Sequence, residues 1–291
     1  MRIIFGLALA ALLAAAPGAR AADGKIAVVA AENFYGDIAR QIGGERVAVV
    51  SIMNNPDQDP HLFETTPGIV RQLAGAQIAI LNGANYDPWM EKLLAAAPRP
   101  GRTVISVADL TGKKAGDNPH LWYAPATMPA AAKAMAAAFS KADSAHAADY
   151  AARLSATLAS LERIAQRVAQ MKAKHAGTAV TATEPVFGPM AEALGLTMRN
   201  QSFQLAMMND TEPSARDVAA FENDLKEHKV KALLYNSQVS EKLTLRLLDI
   251  ARAAKVPVVG VTETQPAGVS FQDWMLGELD ALDKALTGPN S

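Results

Sequence analysis

The sequence of 291 residues contains no cysteine. That absence excludes a disulfide framework, a thiolate zinc finger, an iron–sulfur cluster and a cysteine nucleophile. It also leaves no residue in the sequence to carry a cysteine-linked acyl anchor. An excess of charge is missing too: 28 Lys+Arg stand against 29 Asp+Glu, for a formal charge of −1. The bases are scattered, so there is no basic stripe for nucleic acid and no patch to draw the chain to an anionic bilayer. Neither a His-Glu-x-x-His helix nor a serine nucleophile elbow is present. After the first two dozen residues no run is apolar and long enough to cross a membrane.

What is present begins with a short positive end, Met1 and Arg2, followed by the alanine- and leucine-rich run Ile3–Pro17. Ala19-Arg20-Ala21 then offers the small-x-small pattern that a signal peptidase reads. Residues 1–22 are therefore expected to be a cleavable export signal, cut near Ala21 or Ala22.

Beyond it, short runs rich in valine and isoleucine alternate with helical patterns. Lys25–Ala31, Arg46–Ile52, Gln77–Leu81 and Arg102–Val107 read as strands, with helices at Phe34–Ile42, Pro67–Ala74 and Pro88–Ala97. The second half repeats the scheme: strands at Ala179–Thr183, Leu196–Asn200, Val230–Tyr235 and Val256–Val261, helices at Val186–Leu194, Ser214–His228, Ser240–Ala254 and Ser270–Leu286. This alternation predicts α/β lobes, each a parallel sheet flanked by helices. Between them Ala142–Lys174 contains no glycine or proline, and its larger apolar residues recur at three- and four-residue steps from Tyr150 to Met171. That spacing predicts one helix on the order of 50 Å long that bridges the two lobes. The expected division is signal 1–22, N-terminal lobe 23–141, linking helix 142–174 and C-terminal lobe 175–291.

Ligands of open α/β sheets bind beyond the carboxyl ends of the strands, so residues there are the candidates. His61, in Asp59-Pro60-His61, follows the second strand, and His120, in Asn118-Pro119-His120, follows the fourth. Glu184 ends the first strand of the second half and Glu263 its last. Two imidazoles and two carboxylates, one pair from each half, make a nearly complete ligand set for a divalent transition metal. Glu64, Asn82, Asn85 and Gln238, also in strand-end loops, are candidates to orient those ligands or close the cleft. Trp122, two residues past His120, is a further candidate of this kind, with packing as its expected role. His175 and His228 are assigned to helix C-termini, and His146 to a solvated face.

The segments DPHLFETTPGIVRQLAGAQIAILNGANYDPWM, NPHLWYAP, VTATEPVFGPMAEALGL and PVVGVTETQPAGVSFQDWM resemble the metal-binding solute receptors of zinc and manganese ABC importers. The resemblance runs from about Lys25 to Leu286. It implies two α/β lobes bridged by a rigid long helix, with the metal in the cleft between them. It also implies the ligand set His61, His120, Glu184 and Glu263. Three departures stand out: Asn118 and Ala124 replace the usual aspartates of the second motif, no histidine-rich loop separates His61 from His120, and the third ligand is glutamate rather than histidine. The implied function is a non-enzymatic periplasmic receptor, a monomer, that binds Zn2+ or Mn2+ and delivers it to the membrane permease. The alternatives are a secreted metallohydrolase, a receptor of the same architecture for a small organic solute, and a surface adhesin. A hydrolase needs an open coordination position, which four protein ligands would close. An anion receptor calls for arginine or helix N-termini at the cleft, and no arginine sits in the four ligand loops.

Overall fold

The computed structural model describes residues 24–55, 63, 65–239 and 241–288. The expected signal, His61 and Glu64 lie outside them.

In the N-terminal lobe β1 (Ile26–Glu32), α1 (Asn33–Gly43), β2 (Val47–Met53), α2 (Pro67–Gly75), β3 (Ile78–Leu81), α3 (Pro88–Ala96) and β4 (Thr103–Ser106) follow one another, ending in α4 (Val107–Thr111) and α5 (Thr127–Ala142). The four strands are parallel in the order β2-β1-β3-β4. Central strands β1 and β3 are apolar on both faces because helices cover both sides. On α1, Phe34, Tyr35, Ile38, Ala39 and Ile42 form the buried stripe that lies on the sheet.

The C-terminal lobe contains β5 (Ala179–Ala182), α7 (Gly188–Ala193), β6 (Thr197–Arg199), α8 (Gln201–Met208), α9 (Ala215–Lys226), β7 (Leu233–Asn236), α10 (Lys242–Ala253), β8 (Val258–Val261) and α11 (Phe271–Thr287). The bridging helix α6 (Ala147–His175) precedes β5. The second sheet is also parallel, in the order β6-β5-β7-β8. The two lobes therefore share one topology, in which β1 corresponds to β5 and β3 to β7. In each sheet the strand order reverses between those two strands, the point at which open α/β sheets bind ligands.

At 1.5 Å per residue the 29-residue α6 is about 44 Å long. Its stripe of Tyr150, Leu161, Ile164, Val168 and Met171 is buried, and it packs on α1 and α5 of the first lobe and on α11 of the second. One apolar core runs from β1 and α1 through α6 to Phe187, Val259 and Leu279. The lobes share a core, so burial of apolar surface opposes their separation.

The bridging helix starts five residues later than the sequence pattern predicts. Ala142 ends α5, and Asp143 (φ −142, ψ 71) breaks the helical path before a 3-10 turn leads into α6. The buried Asp143 carboxylate accepts from Tyr150 Oη at 3.0 Å and lies 2.8 Å from His146 Nδ1. That pairing corrects the assignment of His146 to a merely solvated face. The helix α5 is absent from the expected element order because its alanine-rich run marks no face; α4 and α8, of five and eight residues, are absent from it as well, too short to show a helical period. At the far end of α6, His175 does more than answer the helix dipole: its Nε2 is 2.6 Å from Asp283 of α11, which also pairs with Arg167. His228 is exposed just past α9, at φ +53.

Candidate metal centre

His120 sits at the mouth of the first lobe, on the loop that enters the 3-10 turn Leu121–Tyr123. Asn118 holds it. The Asn118 amide donates from Nδ2 to the Pro185 carbonyl at 2.8 Å, which fixes which end of the amide is oxygen. Oδ1 then accepts from the His120 backbone N–H at 3.0 Å and faces His120 Nδ1 at 2.8 Å. An amide oxygen only accepts, so Nδ1 carries a proton and, in the neutral imidazole, the lone pair of Nε2 points away. Behind the ring, Trp122 and Tyr86 stand edge-on at centroid distances of 5.4 and 5.9 Å. Trp122 is packing, as expected: it is buried against Phe34 and Tyr86.

Across the cleft, His120 Nε2 lies 3.3 Å from Glu263 Oε2, and both side chains are buried. The second lobe positions that carboxylate through Asn236, the last residue of β7. Asn236 Nδ2 has two hydrogens: one goes to Glu263 Oε1 at 2.7 Å and the other to Glu184 Oε2 at 2.8 Å. Its own Oδ1 accepts from the Gln238 backbone N–H at 3.1 Å, so the amide cannot turn. Gln238 Oε1 in turn accepts from the backbone N–H groups of Glu263 and Thr264. One asparagine thus holds two buried carboxylates at one point, and one glutamine holds the loop that bears the second.

This loop has a further support. Glu278 of α11 accepts from Trp274 Nε1 at 2.8 Å and from the Thr262 N–H at 3.2 Å, and lies 2.8 Å from Tyr123 Oη. Tyr123 Oη also reaches the Thr262 carbonyl at 2.7 Å. A phenol has one proton for those two acceptors. A proton on Glu278 completes the chain, donating to Tyr123 while Tyr123 donates to Thr262. Burial pushes the Glu278 carboxyl up to about 8, against the pull of these donors.

A lone pair on His120 Nε2 facing a carboxylate oxygen, with a second carboxylate tied to the first, is a donor set that fits a divalent cation. Two carboxylates would neutralise its charge, and imidazole plus carboxylate suits zinc, manganese and iron alike. Among the described residues no group of three or more His, Cys, Asp or Glu side chains is close enough to hold a cation by itself. The structure brings together His120, Glu263 and, through Asn236, Glu184; His61 lies outside the described residues.

The orienting candidates divide. Gln238 supports the Glu263 loop. Asn82 acts on the first lobe's ligand loop, donating to the Pro119 carbonyl at 2.9 Å and accepting from Tyr35 Oη at 2.7 Å. Asn85 is exposed in a turn at φ +66, away from the ligands, and Glu64 lies outside the described residues. Sequence reasoning missed Asn236 because the predicted strand stopped at Tyr235. It saw Asn118 as a departure, not as the residue that sets the imidazole. For both, the available signal was an asparagine within two residues of a strand end or a candidate ligand.

The family model described as zinc-uptake complex component A, periplasmic, matches residues 28–285. Among curated proteins, the chain is 31% identical over 131 residues to the manganese ABC transporter substrate-binding lipoprotein PsaA of Streptococcus mitis, covering 40% of this chain and 42% of that protein. It is 30% identical over 110 residues to the zinc-binding protein TroA of Treponema pallidum, covering 35% of each. The aligned stretches thus span about two fifths or less of these relatives' length. Among solved structures, the periplasmic zinc-binding protein TroA of Treponema pallidum superposes with a TM-score of 0.77 at 21% identity, covering 90% of this chain and 99% of that one. A structure titled ZnuA gives 0.69 at 22% identity, covering 90% and 97%. The two parallel sheets, the bridging helix and the family match over nearly all the described residues agree: the chain belongs to the periplasmic zinc-uptake component A (ZnuA) family of solute receptors.

Proposed function

We propose that the chain is the substrate-binding receptor of an ABC importer for a divalent metal ion. It captures one Zn2+ or Mn2+ in the interlobe cleft with His61, His120, Glu184 and Glu263, and passes it to a membrane permease. The observation that carries this reading is the approach of His120 Nε2 to Glu263 Oε2, with Asn236 joining Glu263 to Glu184. His61 enters by its position in the Asp-Pro-His loop after β2. The receptor is exported by residues 1–22 and works in the periplasm as a monomer, its lobes spanning 23–141 and 175–291. Relatives are named for manganese, zinc and iron. With two hard oxygen donors beside two imidazoles, this site serves manganese as well as zinc, although stability order favours zinc at equal supply.

The test is metal analysis and thermal melting of chelator-stripped protein with zinc or manganese added. About one ion per chain is expected, with a stabilisation of about 2.7 kcal/mol at roughly a hundredfold excess over Kd. His61→Ala and Glu184→Ala should remove most of that gain. If neither ion binds or shifts the melt, the reading is defeated; an unchanged shift in both variants defeats the ligand assignment.

A further inference from the structure

Because β1 corresponds to β5 and β3 to β7, the place that Glu184 and Asn236 take in the second lobe belongs to Glu32 and Asn82 in the first. Glu32 ends β1, is 1% exposed, and neither of its carboxylate oxygens has a hydrogen-bond donor among the described residues. The group that faces it is another carboxyl, Asp87, which is fully buried. Asp87 has partners of its own: its oxygens accept from the backbone N–H groups of Asn82 at 2.7 Å and Gly83 at 2.8 Å. Two carboxyls that only accept cannot face each other out of water unless a proton lies between them.

This pair sits beside the metal cleft. Asn33, next to Glu32, donates to the Gln265 carbonyl at 2.7 Å and accepts from the Gln265 N–H at 3.1 Å, two residues past Glu263. The Tyr86 phenol, buried against the His120 ring, feels the negative charges of both Glu263 and Glu32.

We propose that Glu32 and Asp87 form a proton-exchanging pair for metal capture: the proton held between them leaves to solvent as a divalent cation enters the cleft. This rests on the metal-binding reading above. The stoichiometry balances: one cation enters, one proton departs, and the pair goes from one negative charge to two. A dication nearby favours the charged form of both carboxyls. Burial first, and then the facing Asp87 carboxyl, already raise Glu32 well above the ordinary carboxylate range, while burial lifts Asp87 to about 6. The other titratable groups facing the pair are Tyr35 and Tyr86, both pushed up by burial and so neutral.

Calorimetric titration of the metal-free chain with MnCl2, in HEPES and in Tris, counts protons released per ion bound. Comparison with Glu32→Gln separates the proton of the pair from any that the ligands themselves release. At about pH 7.5 the wild type should release about one proton per ion more than Glu32→Gln. Melting of metal-free Glu32→Gln checks that it folds; if it does not, Asp87→Asn takes its place with the same expected loss. No release by the wild type, or equal release by the folded variant, overturns the proposal. A wild type that binds neither manganese nor, in a parallel titration, zinc overturns the capture reading itself, a distinct result.

Discussion

The two lobes use the same strand order to opposite ends. In the second, the side-chain amide at the end of β7 turns toward the carboxylates, and Asn236 donates to both Glu184 and Glu263. In the first, the corresponding amide turns inward: Asn82 donates to Gly83 and Pro119 and not to Glu32, which has no side-chain donor among the described residues. One lobe therefore presents carboxyls oriented by a shared donor, and the other holds its carboxyls as a buried acid pair. The imidazole shows the same asymmetry. His120 belongs to the first lobe, yet the Asn118 that sets its tautomer is anchored on Pro185 of the second. The second lobe organises the site and the first is registered against it. A shared topology fixes where the candidate ligands emerge; the orientation of one amide decides whether a strand-end carboxyl receives a donor.

The strongest way to break that comparison is Asn236→Ala. It strips the common donor from two buried carboxylates, and metal affinity should fall by about 10- to 100-fold, the usual cost of losing an orienting partner. Asn118→Ala should cost less, because Pro119 remains tied to Asn82. Competitive titration with a metal-sensitive dye measures both, and an equal or larger loss in Asn118→Ala would refute the claim that the second lobe dominates.

Next in size is the clamp between α6 and α11, which holds the second lobe to the bridge. His175 first, and then Arg167, hold the Asp283 carboxyl down to about 2. Its folded pKa is depressed below the unfolded value near 3.9, so its stabilisation is complete above that value and disappears as pH falls toward 2. Asp283→Asn should lower stability at neutral pH by at most about 2 kcal/mol and by much less near pH 2. Denaturant melts across that range test it; a loss independent of pH would show that the pairing is not the cause.

A further effect, expressed only as pH rises, concerns Glu278, beneath the Glu263 loop. Its folded pKa is raised to about 8, so the folded state prefers the proton and wild-type stability falls as pH rises from about 4.5 to 8. Glu278→Gln should offer Nε2 to Tyr123 in place of that proton. The variant should match the wild type near pH 5 and exceed it near pH 8 in thermal melts. A parallel pH dependence in both would remove Glu278 from the account.

Much of this was legible from residue order. Strands of valine and isoleucine between helical patterns require a parallel sheet covered on both faces, and the repetition of that scheme on either side of a proline-free stretch predicts two lobes and a bridge. His120, Glu184 and Glu263 follow from the position of strand ends. Other features were not legible. Asp143 ends one helix and starts another because its carboxylate meets Tyr150 and His146, contacts that no propensity encodes. Glu32 lies just past the predicted strand Lys25–Ala31, and Asp87 just before the helix predicted from Pro88. Their meeting depends on strands β1 and β3 lying side by side, which sequence separation hides.

The sequence by itself determined the class of chemistry: without cysteine, and with histidine and glutamate at strand ends, any metal site here must be built from nitrogen and oxygen. Tertiary structure alone decided which acids share a donor, which share a proton, and which nitrogen of His120 keeps its lone pair. Those outcomes depend on distances of about 3 Å between residues far apart along the chain, because hydrogen bonds exist only at that range.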